Sequence, residues 1–388
     1  MLKLNMAKKI LIFSTAYYPF VGGAEVAIKE ITDRLNDFEF YLITPRFDNK
    51  LKKEEKIGNV LVYRVGFGWG KLDKFFIPLL GFLKAGKLEK KHKFDIVWAF
   101  MASQAAVAAS FFKIISKKKM VLNIQEGDPE NHLQRYAFGI KFLYKIFIRP
   151  WHILPFKKAD YVTVISSDLK ERARKSGAKC EIKIIPNGVD LEKFQNLNCN
   201  FQINKSNLGF KEDDKILITT SRLVKKNAVS DVIKSLQYLP DNIKFLILGV
   251  GPLEKNLKNL TDKLNLRSRI KFAGQINHEE LPGYFNLADI FIRPSLSEGL
   301  GNSFLEAMAF GLPIIGTPVG GITDFLKHKE TGLVCEVNNP KDIAEKVESL
   351  LEDDDLRIKI IQNGKRLVKE EYNWDNIAKE TEKIFLKI

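Results

Sequence analysis

The sequence is poor in cysteine, with only Cys180, Cys199 and Cys335 in 388 residues. None stands in a CxxC pair or beside a histidine cluster, which excludes a disulfide scaffold and a structural zinc site and fits a reducing compartment. Histidine is scarce as well: His92, His132, His152, His278 and His328 are the whole set, and none falls in a metal-ligand spacing. No apolar run approaches the ~18–20 residues that cross a bilayer. The segment ILIFSTAYYPF after Lys8 and Lys9 is short, β-branched and followed by Gly22-Gly23, with no small-residue cleavage site, so it reads as a buried first strand and not as a signal peptide. Low-complexity tracts and internal repeats are missing, which excludes solenoid and fibrous architectures.

Acidic residues are in deficit, 47 against 62 Lys+Arg, for a formal net charge of +15. The imbalance is local: residues 1–200 hold 35 basic and 20 acidic side chains, residues 201–388 hold 27 of each. The first half is therefore expected to meet something acidic, whether anionic lipid, nucleic acid or an anionic substrate. No RNP-like, KH or zinc pattern accompanies the charge, so no specific nucleic acid is expected as a partner.

With 45% hydrophobic and 28% charged residues the chain has the balance of an ordinary folded protein, and its length suits two domains. Strand-like runs alternate with helical patterns in both halves: KKILIFS, FEFYLIT, NVLVYRV, FDIVWAF, KMVLNI, DYVTVIS and EIKIIP, then KILITTS, KFLILG, IKFAG, DIFIRPS, PIIGT and GLVCEV. These runs are apolar on both faces, as buried parallel strands are, and the alternation predicts two doubly wound α/β domains. The boundary is expected near Pro186–Lys193, where Asn187-Gly188 marks a turn and the polar stretch NLNCNFQINKSN follows. This divides the chain into residues 1–190 and 191–371, with a terminal helix over 372–388 returning to the first domain.

Open parallel sheets bind ligands beyond the carboxyl ends of their strands. Three such ends in the second half carry polar residues. In ILITTSRLVKKN, Arg222, Lys225 and Lys226 precede a helical pattern, a placement that suits a diphosphate or a solvated loop equally. In FLILGVGPLEKNL, Gly249 and Gly251 make a tight turn that lets backbone approach a ligand. In DIFIRPSLSEGLGNSFLEAMAFGLP, a glycine-rich turn opens a helix over Asn302–Phe310, with Gly311 as its left-handed cap and Pro313 as its stop. Its N-terminus is a candidate anion site. Glu298 stands at the rim, and Glu306 lies in a largely apolar stretch where a carboxylate needs partners such as ligand hydroxyls. In the first half, Gly22-Gly23 follows the first strand and opens a helix with Ala24-Glu25.

Together these segments resemble the GT-B glycosyltransferases, and within them the retaining family 4. Glu298 and Glu306 match the family's E-x7-E motif, SRLVKKN its cationic segment with Arg222 at the arginine, and VGGAE its N-terminal glycine loop. IPNGVD, GVGP and the GTPVGGI stretch match further segments, and the resemblance covers essentially the whole chain. It implies two Rossmann-like domains facing across a cleft, and a nucleotide-diphosphate sugar as co-substrate, UDP- or GDP-linked, with no other cofactor and no metal. Arg222 and Lys226 would neutralise the leaving diphosphate. Glu298 would hold sugar hydroxyls and Glu306 the ribose, while Gly22, Gly23, Asn187, Asn227, Gly249, Gly251, Gly299, Leu300, Gly301, Asn302 and Ser303 would complete the donor site. Two positions depart from the family pattern. Gln125, followed by Glu126 and Asp128, stands where many relatives place a histidine near the transferred sugar; its amide can hydrogen-bond but not titrate. Asn227, followed by Ala228, stands at the family lysine, with Lys226 one residue early.

Three other readings compete with this one. A GT-B nucleotide-sugar epimerase would want histidines within the motifs above, a basic nucleic-acid binder would want a recognition motif, and an inactive GT-B scaffold would want its charged motif residues lost. The stretches 72–87 and 135–158 combine aromatics with lysine and arginine, and Lys141, Lys145 and Arg149 recur at i, i+4 and i+8 beside Phe138, Phe142, Ile146, Phe147 and Trp151. These are expected to form interfacial helices that seat a cytoplasmic enzyme on the anionic inner face of a membrane, with a glycan or lipid-linked acceptor.

Overall fold

Runs that are apolar on both faces can be buried only between two layers of helix, and that is where the structure, a computed structural model, places them. It describes residues 7–127, 140–195 and 203–388. Asp128, His132, residues 135–139, Cys199 and most of the polar stretch after Gln195 lie outside the described residues. The chain divides into two units, residues 1–187 with 374–388, and residues 188–373. Each is a doubly wound α/β unit of the kind the GT-B fold requires.

The first unit holds an eight-stranded sheet, β1 (Lys8–Phe13), β2 (Phe38–Pro45), β3 (Glu54–Ile57), β4 (Val60–Val65), β5 (Ile96–Phe100), β6 (Lys119–Ile124), β7 (Tyr161–Val164) and β8 (Glu181–Ile184), in the order β3-β4-β2-β1-β5-β6-β7-β8. All neighbours are parallel except β3 and β4. β3, sequence EEKI, was not expected as a strand: it is charged, and it forms only because it pairs at the edge, where one side of each residue stays in water. Alternation sorts the sheet's side chains. Ile10 and Ile12 join the core beneath helix Gly23–Arg34 and helix Trp374–Lys387, while Phe13 meets Phe112 of helix Gln104–Ser116 on the other face. The returning helix Trp374–Lys387 is held by Phe385, whose ring centroid lies 5.8 Å from Phe38 and 5.0 Å from Trp98.

On the opposite face, helix Gln104–Ser116 packs between helix Asp73–His92 and helix Arg149–Lys158. The outer surface of this layer is unusually apolar: Leu72, Phe75, Leu79, Leu83, Ile114, Ile115 and Trp151 are all exposed. Phe67 and Trp69, which the sequence reading passed over, stack at 4.7 Å and both meet Phe76. The buried Asp73 carboxylate fixes this loop by accepting the Phe67 and Trp69 amides at 2.7 and 2.6 Å. The helix expected to present a uniform cationic stripe is corrected in one respect. It takes a π-helical turn over Tyr144–Ile148, so residues beyond it are rotated from α-helical register. All three remain exposed, as do Phe142 and Ile146.

The second unit holds β9 (Lys215–Thr220), β10 (Ile243–Leu248), β11 (Ile270–Gly274), β12 (Ile290–Arg293), β13 (Ile314–Gly316) and β14 (Leu333–Val334), all parallel, in the order β11-β10-β9-β12-β13-β14. Written from its first strand this is 3-2-1-4-5-6, the dinucleotide-fold order, whose direction reverses between β9 and β12. The acidic run Glu352–Asp355 falls where helices Pro340–Glu352 and Asp354–Glu371 meet, and Asp353 caps the second by accepting the Leu356 amide at 2.8 Å.

Ala228 precedes helix Val229–Ser235 with φ +48°, a left-handed conformation that costs an L side chain ~1 kcal/mol. Ala228→Gly is therefore expected to raise stability by about 0.5–1 kcal/mol in urea unfolding, with an unchanged denaturant slope. An unaltered or lower midpoint would show that the strain is relaxed elsewhere.

Candidate functional site

Ligands in doubly wound sheets bind where strand order reverses, because crossovers leaving in opposite directions open a crevice there. In the second unit that point lies beyond β9 and β12. β9 leads into Arg222–Asn227, and β12 into the turn that carries Glu298 and opens helix Asn302–Phe310. The two loops are tied together: the Leu296 amide donates to the Lys226 carbonyl at 2.6 Å, and Arg293 reaches back to the Thr220 carbonyl at 3.4 Å.

The cationic loop is set by its own backbone. Asn227 is buried and its side-chain amide donates to the Arg222 carbonyl at 2.7 Å, while the Val224 amide donates to the same oxygen at 2.8 Å. Asn227 is thus a brace that pins the loop. The Arg222 side chain is exposed and Lys226 is half-buried.

Gly249 and Gly251 were expected to admit a ligand, and the structure gives them a different first duty. A Cβ on Gly249, at φ +130°, would sit 2.0 Å from the Ser221 carbonyl oxygen, and one on Gly251 would sit 2.5 Å from that of Leu223. These glycines let the loop after β10 lie against the loop after β9, which is joined to it by the Leu223 amide donating to Val250 at 3.0 Å. Gly320 does the same against Glu298, whose carbonyl oxygen would be 2.0 Å from its Cβ and accepts the Gly321 amide at 3.2 Å.

Gly301 stands at the helix N-cap in a left-handed conformation, φ +99°, and has no side chain with which to cap the first turn. Gly299, Leu300 and Gly301 are buried, and Asn302 and Ser303 half-buried. Glu298 is engaged at both oxygens: Oε2 accepts from Arg293 at 2.9 Å and Oε1 from the Gly299 amide at 3.2 Å. Arg293 also donates to the Ser303 hydroxyl at 2.8 Å and lies 4.9 Å from the centroid of the Phe304 ring. Sequence reasoning missed Arg293 because it closes the strand IFIR; an arginine ending a run otherwise buried on both faces was the available signal. Among the described residues no hydrogen-bond partner reaches the buried Arg293 Nε, or Thr219 Oγ1, Ser221 Oγ and Ser295 Oγ near the same strand ends, and such groups call for one.

Glu306 lies on the same helix with most of its side chain covered, and its Oε1 is 2.9 Å from His278 Nε2. His278 belonged to none of the sequence motifs. Beside it, Lys193 Nζ sits 2.9 Å from His278 Nδ1 and 2.6 Å from Glu279 Oε1, and the lysine holds the Glu279 carboxyl below its ordinary range.

In the first unit, Gly22 and Gly23 are exposed, and Glu25 folds back to accept the Gly22 amide at 2.7 Å. Burial pushes the Glu25 carboxyl upward, with that backbone bond pulling the other way. Gln125, at the end of β6, forms a reciprocal amide pair with Asn187, both bonds 3.1 Å. Half the hydrogen-bonding capacity of Gln125 is committed there. Among the described residues no three His, Cys, Asp or Glu side chains gather as metal ligands would, and no helix is long and apolar enough to cross a membrane.

Comparison with known proteins agrees with this architecture. Residues 21–193 match the family described as Glycosyltransferase Family 4, and residues 200–367 the family described as Glycosyl transferases group 1. An uncharacterized glycosyltransferase of Methanocaldococcus jannaschii is 29% identical over 97% of both chains. The N-acetyl-alpha-D-glucosaminyl L-malate synthase of Bacillus anthracis is 27% identical over 96% of this chain and 95% of its own. Among solved structures, HepE of Anabaena, crystallised with UDP and glucose, superposes with a TM-score of 0.78 at 18% identity, covering 98% of this chain and 100% of its own.

Proposed function

We propose, from the premise that this chain belongs to the family 4 glycosyltransferases and is an enzyme of GT-B fold, that it moves a hexose-type sugar with retention of configuration from a UDP- or GDP-sugar to a glycan or lipid-linked acceptor. The observation that carries the reading is the switch point of the second unit, where one crevice edge bears Arg222 and Lys226 and the other the glycine-capped N-terminus of the helix that carries Glu306, beside Glu298. Cations and helix amides offset the charge of a departing diphosphate, which elsewhere Mg²⁺ offsets, so the transfer is read as metal-independent. Glu306 offers acceptor oxygens to ribose hydroxyls. Glu298, braced by Arg293, keeps one lone pair on each oxygen for sugar hydroxyls. The UDP and glucose held by the Anabaena protein support the donor class.

A thermal-shift panel of nucleoside diphosphates and their sugars, followed by sugar transfer with EDTA present, tests the reading. The matching nucleotide at ~100 Kd should stabilise by ~2.7 kcal/mol. Absence of any shift and any transfer across the panel would overturn it.

The membrane part of the proposal is supported by the helical layer of the first unit, where exposed aromatics and aliphatics from Phe67 to Leu83 and at Ile114, Ile115 and Trp151 stand among exposed cations. Aromatics suit the acyl boundary and each cation near an anionic surface adds ~1 kcal/mol. Flotation with anionic vesicles should carry the protein upward at low salt, less at high salt, and much less for Trp69→Ser/Phe75→Ser. Indifference to anionic vesicles at low salt would favour a soluble acceptor.

A further inference from the structure

Lys193, His278 and Glu306 come from three separate segments and meet in one line. A lysine ammonium can only donate, so Lys193 Nζ at 2.9 Å makes His278 Nδ1 an acceptor. The neutral ring then carries its proton on Nε2, which donates to Glu306 Oε1 at 2.9 Å. Glu279 balances the lysine from 2.6 Å. An aromatic frame fixes both ends: Phe194, next to Lys193, lies edge-on to the His278 ring at 5.7 Å and 6.0 Å from Phe285, which in turn meets Phe310 on the Glu306 helix at 5.8 Å. Among the described residues no protein donor reaches Glu306 Oε2, so the carboxylate is held by one oxygen, and the partly exposed side chain keeps the other uncommitted.

We propose that His278 and Lys193 are positioning residues that aim the Glu306 carboxylate at the ribose diol of the bound nucleotide, an inference that rests on Glu306 being a donor contact. A carboxylate locked in one rotamer meets a vicinal diol without losing side-chain freedom on binding. The relay therefore sharpens the preference for a ribonucleotide over an analogue lacking its hydroxyls, and leaves diphosphate binding alone.

Calorimetric titration of the full chain with UDP and 2′,3′-dideoxy-UDP, and with GDP and 2′,3′-dideoxy-GDP, tests this. Wild type should prefer the ribonucleotide about tenfold or more, as a hydrogen bond to a charged group predicts. His278→Ala should reduce that preference to about threefold or less with dideoxy affinity unchanged. His278→Gln, which restores an N–H donor near the place of Nε2, should recover most of it, and Lys193→Met should fall between. Full discrimination in His278→Ala overturns the relay while the donor-site reading stands. A wild type that binds neither nucleotide, or binds ribose and dideoxy forms equally, takes down the donor-site reading and the relay with it.

Discussion

Arg222→Ala is expected to lower the turnover of sugar transfer by about 10²–10³ while leaving the unfolding midpoint nearly unchanged. Its side chain is exposed, so little packing is lost. Its carbonyl remains held by Asn227 and Val224, so the loop keeps its course. On the proposed reading, what disappears is a guanidinium that meets the negative charge growing as the nucleotide departs, and such preorganised charge acts mainly in the transition state. The loss should therefore appear in kcat more than in the donor KM. Lys226→Ala separates two versions of the site: a loss of similar size assigns Lys226 to the diphosphate, and a small loss leaves Arg222 to act alone. Turnover of Arg222→Ala within a few-fold of wild type would remove the leaving-group assignment.

Arg293→Met should destabilise the second unit by about 2–3 kcal/mol. The arginine is buried, and its loss strands the Glu298 carboxylate and the Ser303 hydroxyl that it serves. A fully buried broken pair would cost ~3–5 kcal/mol, and the partial exposure of Glu298 lowers that figure. Adding Glu298→Gln should return part of the loss, because the stranded charge is gone. Additive costs in that double-mutant cycle would mean that the two side chains are not coupled.

The parts of the site visible in the sequence are those whose chemistry is local. The helix Asn302–Phe310 announces itself through Gly301 before it and Gly311 after it, since both adopt left-handed conformations that glycine tolerates. Parallel strands were legible from runs apolar on both faces, and β3 was not, because an edge strand has no such requirement. Contacts between distant segments left no trace. Glu306 and His278 are 28 residues apart, and Gln125 and Asn187 are 62 apart. Nothing in either local pattern names the partner. Asn227 shows what spacing leaves out: alignment with the family lysine position says nothing of its buried amide, which holds the loop's shape by donating to the Arg222 carbonyl. The π-helical turn at Tyr144–Ile148 escaped for the same reason that helical periodicity is informative at all, since one added residue per turn changes facing and not composition.

The first unit is closed by a helix, Trp374–Lys387, that is made after the whole second unit. During synthesis, the sheet begun at Lys8 must wait for almost two hundred further residues beyond Asn187 before Phe385 can cover Phe38 and Trp98. The second unit is contiguous and has no such delay. The earlier-made unit therefore depends on the last-made residues to cover its aromatic seam, whereas the second unit holds all of its own elements by residue 373. A released chain truncated after residue 373 would keep every element of the second unit but leave Phe38 and Trp98 of the first without their cover, an exposed aromatic surface that favours aggregation.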